Sequence, residues 1–328
     1  MLAIKSIINQ TYADWEIIVV DDNSTDNTKE MMRDLCIRES RIKFFEKPSN
    51  IKKGPANSRN IGLEKSSGEY IIFLDSDDFF TLNCFEKRIE YIKKFPEPDC
   101  WIFNGAGFKN NDKSSLFLWN IPKPNSDIER FFALDVPWQT TGPIWRKKKM
   151  QELQLKWDSA TEPWDDVDFH IAALMKKDFN YKVFWDSDYD YLFRIHGHDS
   201  ISQTDYFNPQ KIEARFNFFL KYYRLLDHDK LFFLRPILLS VLRTCIVKKN
   251  YSRAFEFIRL SSEKTFINSF ETAILKSQVL KMKLFSNRFF KFPTSKITNI
   301  LAPIEGSSLK TPIFQQVIIR TDKKMGKE

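Results

Sequence analysis

Cysteine is scarce in this 328-residue sequence, with four in all, and Cys36, Cys84, Cys100 and Cys245 lie far apart with no Cys-x-x-Cys pair. That pattern excludes a cysteine zinc site and a disulfide framework, and it suits a reducing cytoplasm. No apolar run approaches the roughly 20 residues of a membrane-spanning helix, and no charged segment followed by a long apolar stretch opens the chain. Internal repeats and low-complexity segments are absent as well. There is no glycine-rich phosphate loop of the kind expected after the first strand of a nucleotidyltransferase, which argues against that class. A formal charge of +8 without a recognised binding motif gives no case for nucleic acid. Of only four histidines, His196 and His198 fall in one short segment.

What the chain does have is carboxylates at the ends of apolar runs. Gly68–Asp78, GEYIIFLDSDD, reads as a buried strand over Tyr70–Leu74 that ends in Asp75, Asp77 and Asp78. Ligands of open α/β sheets sit beyond the carboxyl ends of the strands, so Asp75 and Asp77 are aimed into a crevice. Two carboxylates one residue apart repel each other, and a hard divalent cation bridging phosphate oxygens is the usual counter-charge. Taken alone, the same residues could equally cap a helix from about Leu82 to Phe95. Upstream, Ile17–Val20 forms a second such strand ending in Asp21 and Asp22, followed by a helix to about Glu39 capped by Asp26 or Thr25. A short strand over Arg41–Glu46 follows. Gly54-Pro55 then opens another helix, with Arg59 on its first turns, where it either sits near an anion or is solvated on the helix surface.

QTYADWEIIVVDDNSTDNT, the Ser58-Arg59-Asn60 element and GEYIIFLDSDD, in that order, resemble the inverting glycosyltransferase family 2, strongly over residues 3–105 and more weakly to about 203. The resemblance implies an α/β GT-A fold: a Rossmann-like, mixed and mostly parallel sheet flanked by helices. It implies a nucleotide-diphospho-sugar donor, UDP-linked by preference, and a surface-glycan or lipid-linked acceptor. Asp22 would then read the base, Asp75 the ribose, and Asp77 would bind Mn²⁺ or Mg²⁺ on the diphosphate. Within Glu162–Met175, Asp166 falls on the family's catalytic base, Asp165 stands in place of a glutamate on the substrate, and Asp168 and Phe169 complete the match. One base suffices for inversion, because a single carboxylate must take the acceptor's proton on the face opposite the leaving group. Arg194 in Phe193–Ser202 would stabilise the leaving diphosphate, and His196 would touch the phosphate or the metal. Gln139–Pro143 would line the acceptor side. Relatives start with a strand before the first helix, whereas this sequence starts within that helix; neighbouring strands are expected to show unpaired edges and an opened core. A catalytically impaired sugar-nucleotide-binding protein is the alternative class.

Residues 1–204 form the expected catalytic domain. Beyond it, residues 205–328 carry 23 Lys and Arg against 10 Asp and Glu, and 15 phenylalanines. Helices are expected over Ile212–Leu226, Leu231–Val247, Tyr251–Leu260 and Thr265–Phe292. Packing between them would bury many of the aromatics. The stretch Ile274–Phe292, with lysines and arginine among Leu and Phe, is the candidate for peripheral contact with the inner membrane face.

Overall fold

The computed structural model describes residues 2–109, 112–118, 121–195, 208–284 and 318–320. The chain divides into two compact units. One is Met1–Pro124, Pro137–Thr204 and Phe314–Glu328; the other is Asn125–Val136 with Asp205–Ile313.

The first unit runs α1 (Leu2–Ile8), β1 (Ile17–Asp21), α2 (Thr28–Arg38), β2 (Ile42–Glu46), α3 (Pro55–Lys65), β3 (Tyr70–Ile71), β4 (Phe79–Phe80) and α4 (Cys84–Lys94). The first pair of strands is parallel, with Ile17 opposite Ile42 and Asp21 opposite Glu46. After α4 come β5 (Cys100–Ile102), β6 (Gly105–Lys109) and β7 (Asp112–Leu118). One short helix intervenes, α5 (Asp127–Phe132), which belongs to the other unit. The first unit closes with β8 (Pro143–Arg146), α6 (Lys147–Glu152), α7 (Asp165–Leu174), β9 (Tyr181–Val183) and β10 (Tyr191–Ile195). Strands order as β3-β8-β5-β9 in one sheet and β7-β6-β10-β4 in another, with Ile318–Arg320 antiparallel on the edge of β7.

The expected mixed α/β class holds, but the pairing is less parallel than expected. Parallel ladders join β1 to β2, β5 to β9 and β6 to β10. The remaining ladders are antiparallel, because β8 enters between β3 and β5 in reverse and β4 and β7 pair as returning strands. Only Tyr70 and Ile71 of the expected strand Tyr70–Leu74 have a ladder partner. Among the described residues nothing pairs with the second edge of β1 or with residues 72–74. A cavity of about 910 Å³ lies there, lined by α1 residues such as Ile4 and Ile7, by residues 17–20, and by residues 70–74. The two edges are nevertheless tied at their start. Glu16 Oε1 accepts from Gly68 N at 2.9 Å, from Ser67 Oγ at 2.8 Å and from Ser67 N. Burial pushes that carboxyl up, yet Lys43 and these donors hold it at about 2.

Helix α2 begins at Thr28 rather than at a cap on Asp26 or Thr25. Asn27 stands at the cap position, and Asp26 Oδ1 instead accepts from Thr28 N at 3.0 Å in a local turn. The core is aromatic, with Trp101, Phe103, Ile144 and Phe184 in one cluster and Ile17, Ile42, Phe80 and Tyr191 in another. Each such buried side chain contributes roughly 1.5–3 kcal/mol. Deep in this core, Arg88 forks onto both oxygens of Asp190 at 2.7 Å, linking α4 to the residue before β10.

The second unit packs α5 with α8 (Pro209–Leu225), a 3₁₀ turn (His228–Leu234), α9 (Arg235–Val247), α10 (Tyr251–Glu263) and α11 (Ser269–Leu284). The helix expected over Thr265–Phe292 thus starts four residues later, and its last eight residues lie outside the described ones. Ser126 and Glu129 form a reciprocal capping box on α5. Phe132 from that helix stacks on Phe233 and meets Tyr222 edge-on, at 5.5 and 5.1 Å.

Candidate active site

Strand β1 delivers Asp21 and Asp22 to its carboxyl end with different surroundings. Asp21 is buried and both of its oxygens accept from Ser24 N, so it shapes the turn. Asp22 accepts from Gly54 N at 2.8 Å and forms an ion pair with Lys47. The Lys47 side chain is fully buried and also donates to Lys52 O at 2.8 Å, while its backbone N–H reaches Asp21 O. Lys47 follows directly on β2, so the parallel β1/β2 register brings the lysine and the acid pair to one crevice. Gly54 suits this turn because its φ is +137°, a region that favours glycine, and the Glu162 carboxylate lies close beside it. Pro55 then opens α3 at its first turn.

Arg59 on α3 joins parts of the chain separated by about a hundred residues. Its Nη2 donates to Asp75 Oδ1 at 2.6 Å and its Nη1 to Asp165 Oδ2 at 3.1 Å. The guanidinium lies 4.4 Å over the ring of Trp157, which stacks on Phe169 at 4.1 Å and meets Phe73 edge-on at 5.1 Å. Next to it, Asn60 exchanges two hydrogen bonds with the Trp157 backbone, at 2.8 and 2.9 Å. The Ser58-Arg59-Asn60 element therefore fixes the start of α7 against the end of residues 70–75. The anion it meets in this structure is the protein's own carboxylate pair.

Helix α7 presents three acids in its first turn, and they face differently. Asp168 is fully buried. Asp165, expected on the substrate, is only 5% exposed and is turned onto Arg59, so it supports the site from inside. Burial, then the Asp166 charge, pushes its carboxyl up to about 7 against the pull of Arg59. Asp166 is half-buried and accepts from Val167 N at 2.7 Å. Its carboxyl is also raised by burial, with Val167 N and Arg59 opposing the rise. Of the adjacent pair, Asp166 retains more accessible surface.

The turn after residue 75 holds Asp77, half-buried, and Asp78, buried. Asp78 accepts from Arg194 N at 3.1 Å and from Thr141 Oγ1 at 3.3 Å, which brings β10 and the Gln139–Pro143 segment to the turn. Burial and then the charges of Asp75 and Asp77 push Asp78 up to about 8. The guanidinium of Arg194 lies 5.2 Å over the Phe108 ring. His196, expected on the phosphate or metal, lies outside the described residues. Among the described residues no three His, Cys, Asp or Glu side chains are grouped so as to hold a metal ion. The oxygen-only set of Asp75 and Asp77 nevertheless fits a hard divalent cation, which is commonly held by one or two carboxylates plus substrate phosphates.

Lys47 and the inward role of Asp165 escape a reading of the sequence by motif. A signal for Lys47 existed in its place, one residue past a strand parallel to and beside the one that ends in an acid pair.

Comparison with known proteins bears on the family and the fold. The family described as "Glycosyl transferase family 2" matches residues 2–152. An uncharacterized glycosyltransferase of Rickettsia bellii is 39% identical over 119 residues, 36% of this chain and 16% of that protein. The GalNAc(5)-diNAcBac-PP-undecaprenol beta-1,3-glucosyltransferase of Campylobacter jejuni is 51% identical over 76 residues, 23% of this chain and 24% of that protein. The UDP-Glc:alpha-D-GlcNAc-diphosphoundecaprenol beta-1,3-glucosyltransferase WfgD of Escherichia coli is 42% identical over 92 residues, 28% and 35% of the two chains. The chain thus spans well under half the length of these curated relatives. By fold it is similar to residues 1–349 of S. aureus TarS, solved with UDP, with a TM-score of 0.58 at 15% identity over 88% of both chains.

Proposed function

Since residues 2–152 belong to glycosyl transferase family 2, we propose that this chain moves a sugar from a nucleotide-diphospho-sugar to an acceptor hydroxyl with inversion at the anomeric carbon. The observation that carries the reading is the bridge Asp75–Arg59–Asp165, with Asp166 beside it. It joins the strand end suited to a diphosphate with a carboxylate suited to a base, across 90 residues of sequence.

In this reading Asp22 accepts from the base, and its ion pair with Lys47 keeps it oriented. A uracil, whose ring N–H can donate, is the preferred base, in keeping with the UDP-Glc donor named for the E. coli relative. Asp75 contacts the ribose, and Asp77 holds Mn²⁺ or Mg²⁺, with His196 a further ligand. The cation would offset the charge that develops on the departing diphosphate. Arg194 adds a second positive charge on that side. Asp166 takes the acceptor's proton, and its raised carboxyl makes it a stronger base than an exposed aspartate once ionised. Asp165 and Arg59 hold the start of α7 in place for that transfer. The acceptor is a lipid-linked or surface glycan met at the cytoplasmic face; the names of the C. jejuni and E. coli relatives give undecaprenol-linked acceptors.

A second reading, a sugar-nucleotide-binding protein with little turnover, draws on the cavity of about 910 Å³ between β1 and residues 70–74. One experiment separates the two: a panel of sugar nucleotides with Mn²⁺, assayed for nucleotide release with and without undecaprenyl-diphosphate-linked sugar. Release of UDP supports transfer. Binding without release by the wild-type chain supports the second reading, and release of pyrophosphate would overturn both.

A further inference from the structure

Helix α11 carries its apolar residues on two faces. Leu275 and Val279 point inward, and its single acid, Glu271, is buried and paired with Arg235. The outer face holds Phe270, 72% exposed, then Ala273, Ser277, Leu280 at 48% and Leu284 at 69%. These positions recur at alternating steps of three and four residues. At 3.6 residues per turn they fall within an arc of about 80°. Lys281 stands on one shoulder of that arc, and Lys276 and Lys283 on the other, all exposed. Tyr251 at the start of α10 donates to Met282 O at 3.2 Å, which sets the α9–α10 corner beside the end of α11. That corner adds Val247, 50% exposed, and exposed Lys249.

We propose that the outer face of α11, with the Val247–Lys249 corner, is a docking surface for an anionic phospholipid membrane. A stripe of exposed Phe and Leu between lysines, with no acid on the helix's outer side, is complementary to a surface of acyl chains under negative headgroups. A protein partner needs no such uniform positive rim, and a water-exposed helix face has no use for Phe270 and Leu284. The surface lies the axis of α11 in the plane of the lipid headgroups, without any segment crossing the bilayer. This inference stands apart from the transfer reaction, because binding to lipid is measured without donor or acceptor.

The test is sedimentation of the whole chain with vesicles of phosphatidylcholine alone or mixed with phosphatidylglycerol, at low and high salt. The expected result is binding to the mixed vesicles, weakened by salt as the charges are screened. Replacing Lys281 and Lys283 by Gln should weaken binding about 30-fold, since each lysine near such a surface is worth about 1 kcal/mol. A second variant, Leu280→Ser with Leu284→Ser, should lose binding at both salt levels. Circular dichroism checks that the helices persist in both, and the glutamine pair preserves helix propensity if the serine pair does not fold. Equal binding to neutral vesicles, no binding at low salt, or unchanged binding of the folded glutamine variant would overturn the proposal.

Discussion

Replacing Arg59 with methionine probes how far the bridge at the site also holds the fold. Methionine keeps the packing on Trp157 and removes two charge-assisted hydrogen bonds, to Asp75 at 2.6 Å and Asp165 at 3.1 Å. The Asp75 side chain is 45% exposed, so solvent screening limits that contact to at most about 1 kcal/mol. Asp165 is nearly enclosed, and leaving a buried charge without its partner costs roughly 3 kcal/mol. The sum of about 3–4 kcal/mol lowers the melting temperature of the unit that contains it by about 6–15 °C. The effect should depend on pH in a definite sense. Asp165 titrates at about 7 in the fold, above the ordinary carboxyl value of 3.8. A raised carboxyl stabilises the fold below its ordinary value, and that stability is lost as pH rises toward the folded value. Without Arg59 the folded value climbs further, so the variant goes on losing stability above about pH 7 by up to about 1.4 kcal/mol per pH unit. Melting curves from about pH 6 to about pH 8.5 would show the deficit widening with pH. A deficit that is constant over this range, or a variant as stable as wild type at the upper end, would refute the reasoning.

Asp77→Asn should weaken metal-dependent UDP binding by about 10-fold or more in calorimetry, while metal-free binding changes little; unchanged metal dependence would remove Asp77 from the cation site. Lys47→Met leaves Asp22 with only Gly54 N as a donor and should weaken UDP binding by about 10-fold while the thermal transition moves less than in Arg59→Met, since Asp22 is 38% exposed and can be rehydrated. If Lys47→Met instead lowers the melting temperature as much as Arg59→Met with UDP affinity intact, the lysine acts in the core and not on the nucleotide.

Much of the site was legible because its residues sit at strand ends and helix starts, where residue type and position carry information. Asp22 lies where an apolar run puts it and Gly54-Pro55 marks the start of α3, whereas the strand before Asp75 ends at Ile71, short of the expected Leu74. Contacts between those points were not legible. Nothing local says that Arg59 chooses Asp165, 106 residues away, or that Lys47 turns inward to Asp22. Such choices depend on how the strands are ordered, and antiparallel entry of β8 between β3 and β5 reorders what a mostly parallel pattern suggests. Helix α5 illustrates the same limit. It was not read from the sequence; its Ser126–Glu129 box fixes the start locally, while its aromatic partners Tyr222 and Phe233 are about a hundred residues away.

The central claim is that Asp166 takes the proton from the acceptor, and Asp166→Asn tests it most directly. Asparagine keeps the size and the contact with Val167 N but cannot accept that proton. Single-turnover transfer from the cognate sugar nucleotide should fall by about 10²–10⁴-fold while donor affinity stays within about twofold of wild type. In the wild-type chain the acid limb of the rate should lie above the ordinary carboxyl range, and it should vanish in the variant. Retained transfer by Asp166→Asn, a comparable loss of donor binding, or a product with retained anomeric configuration would contradict the account.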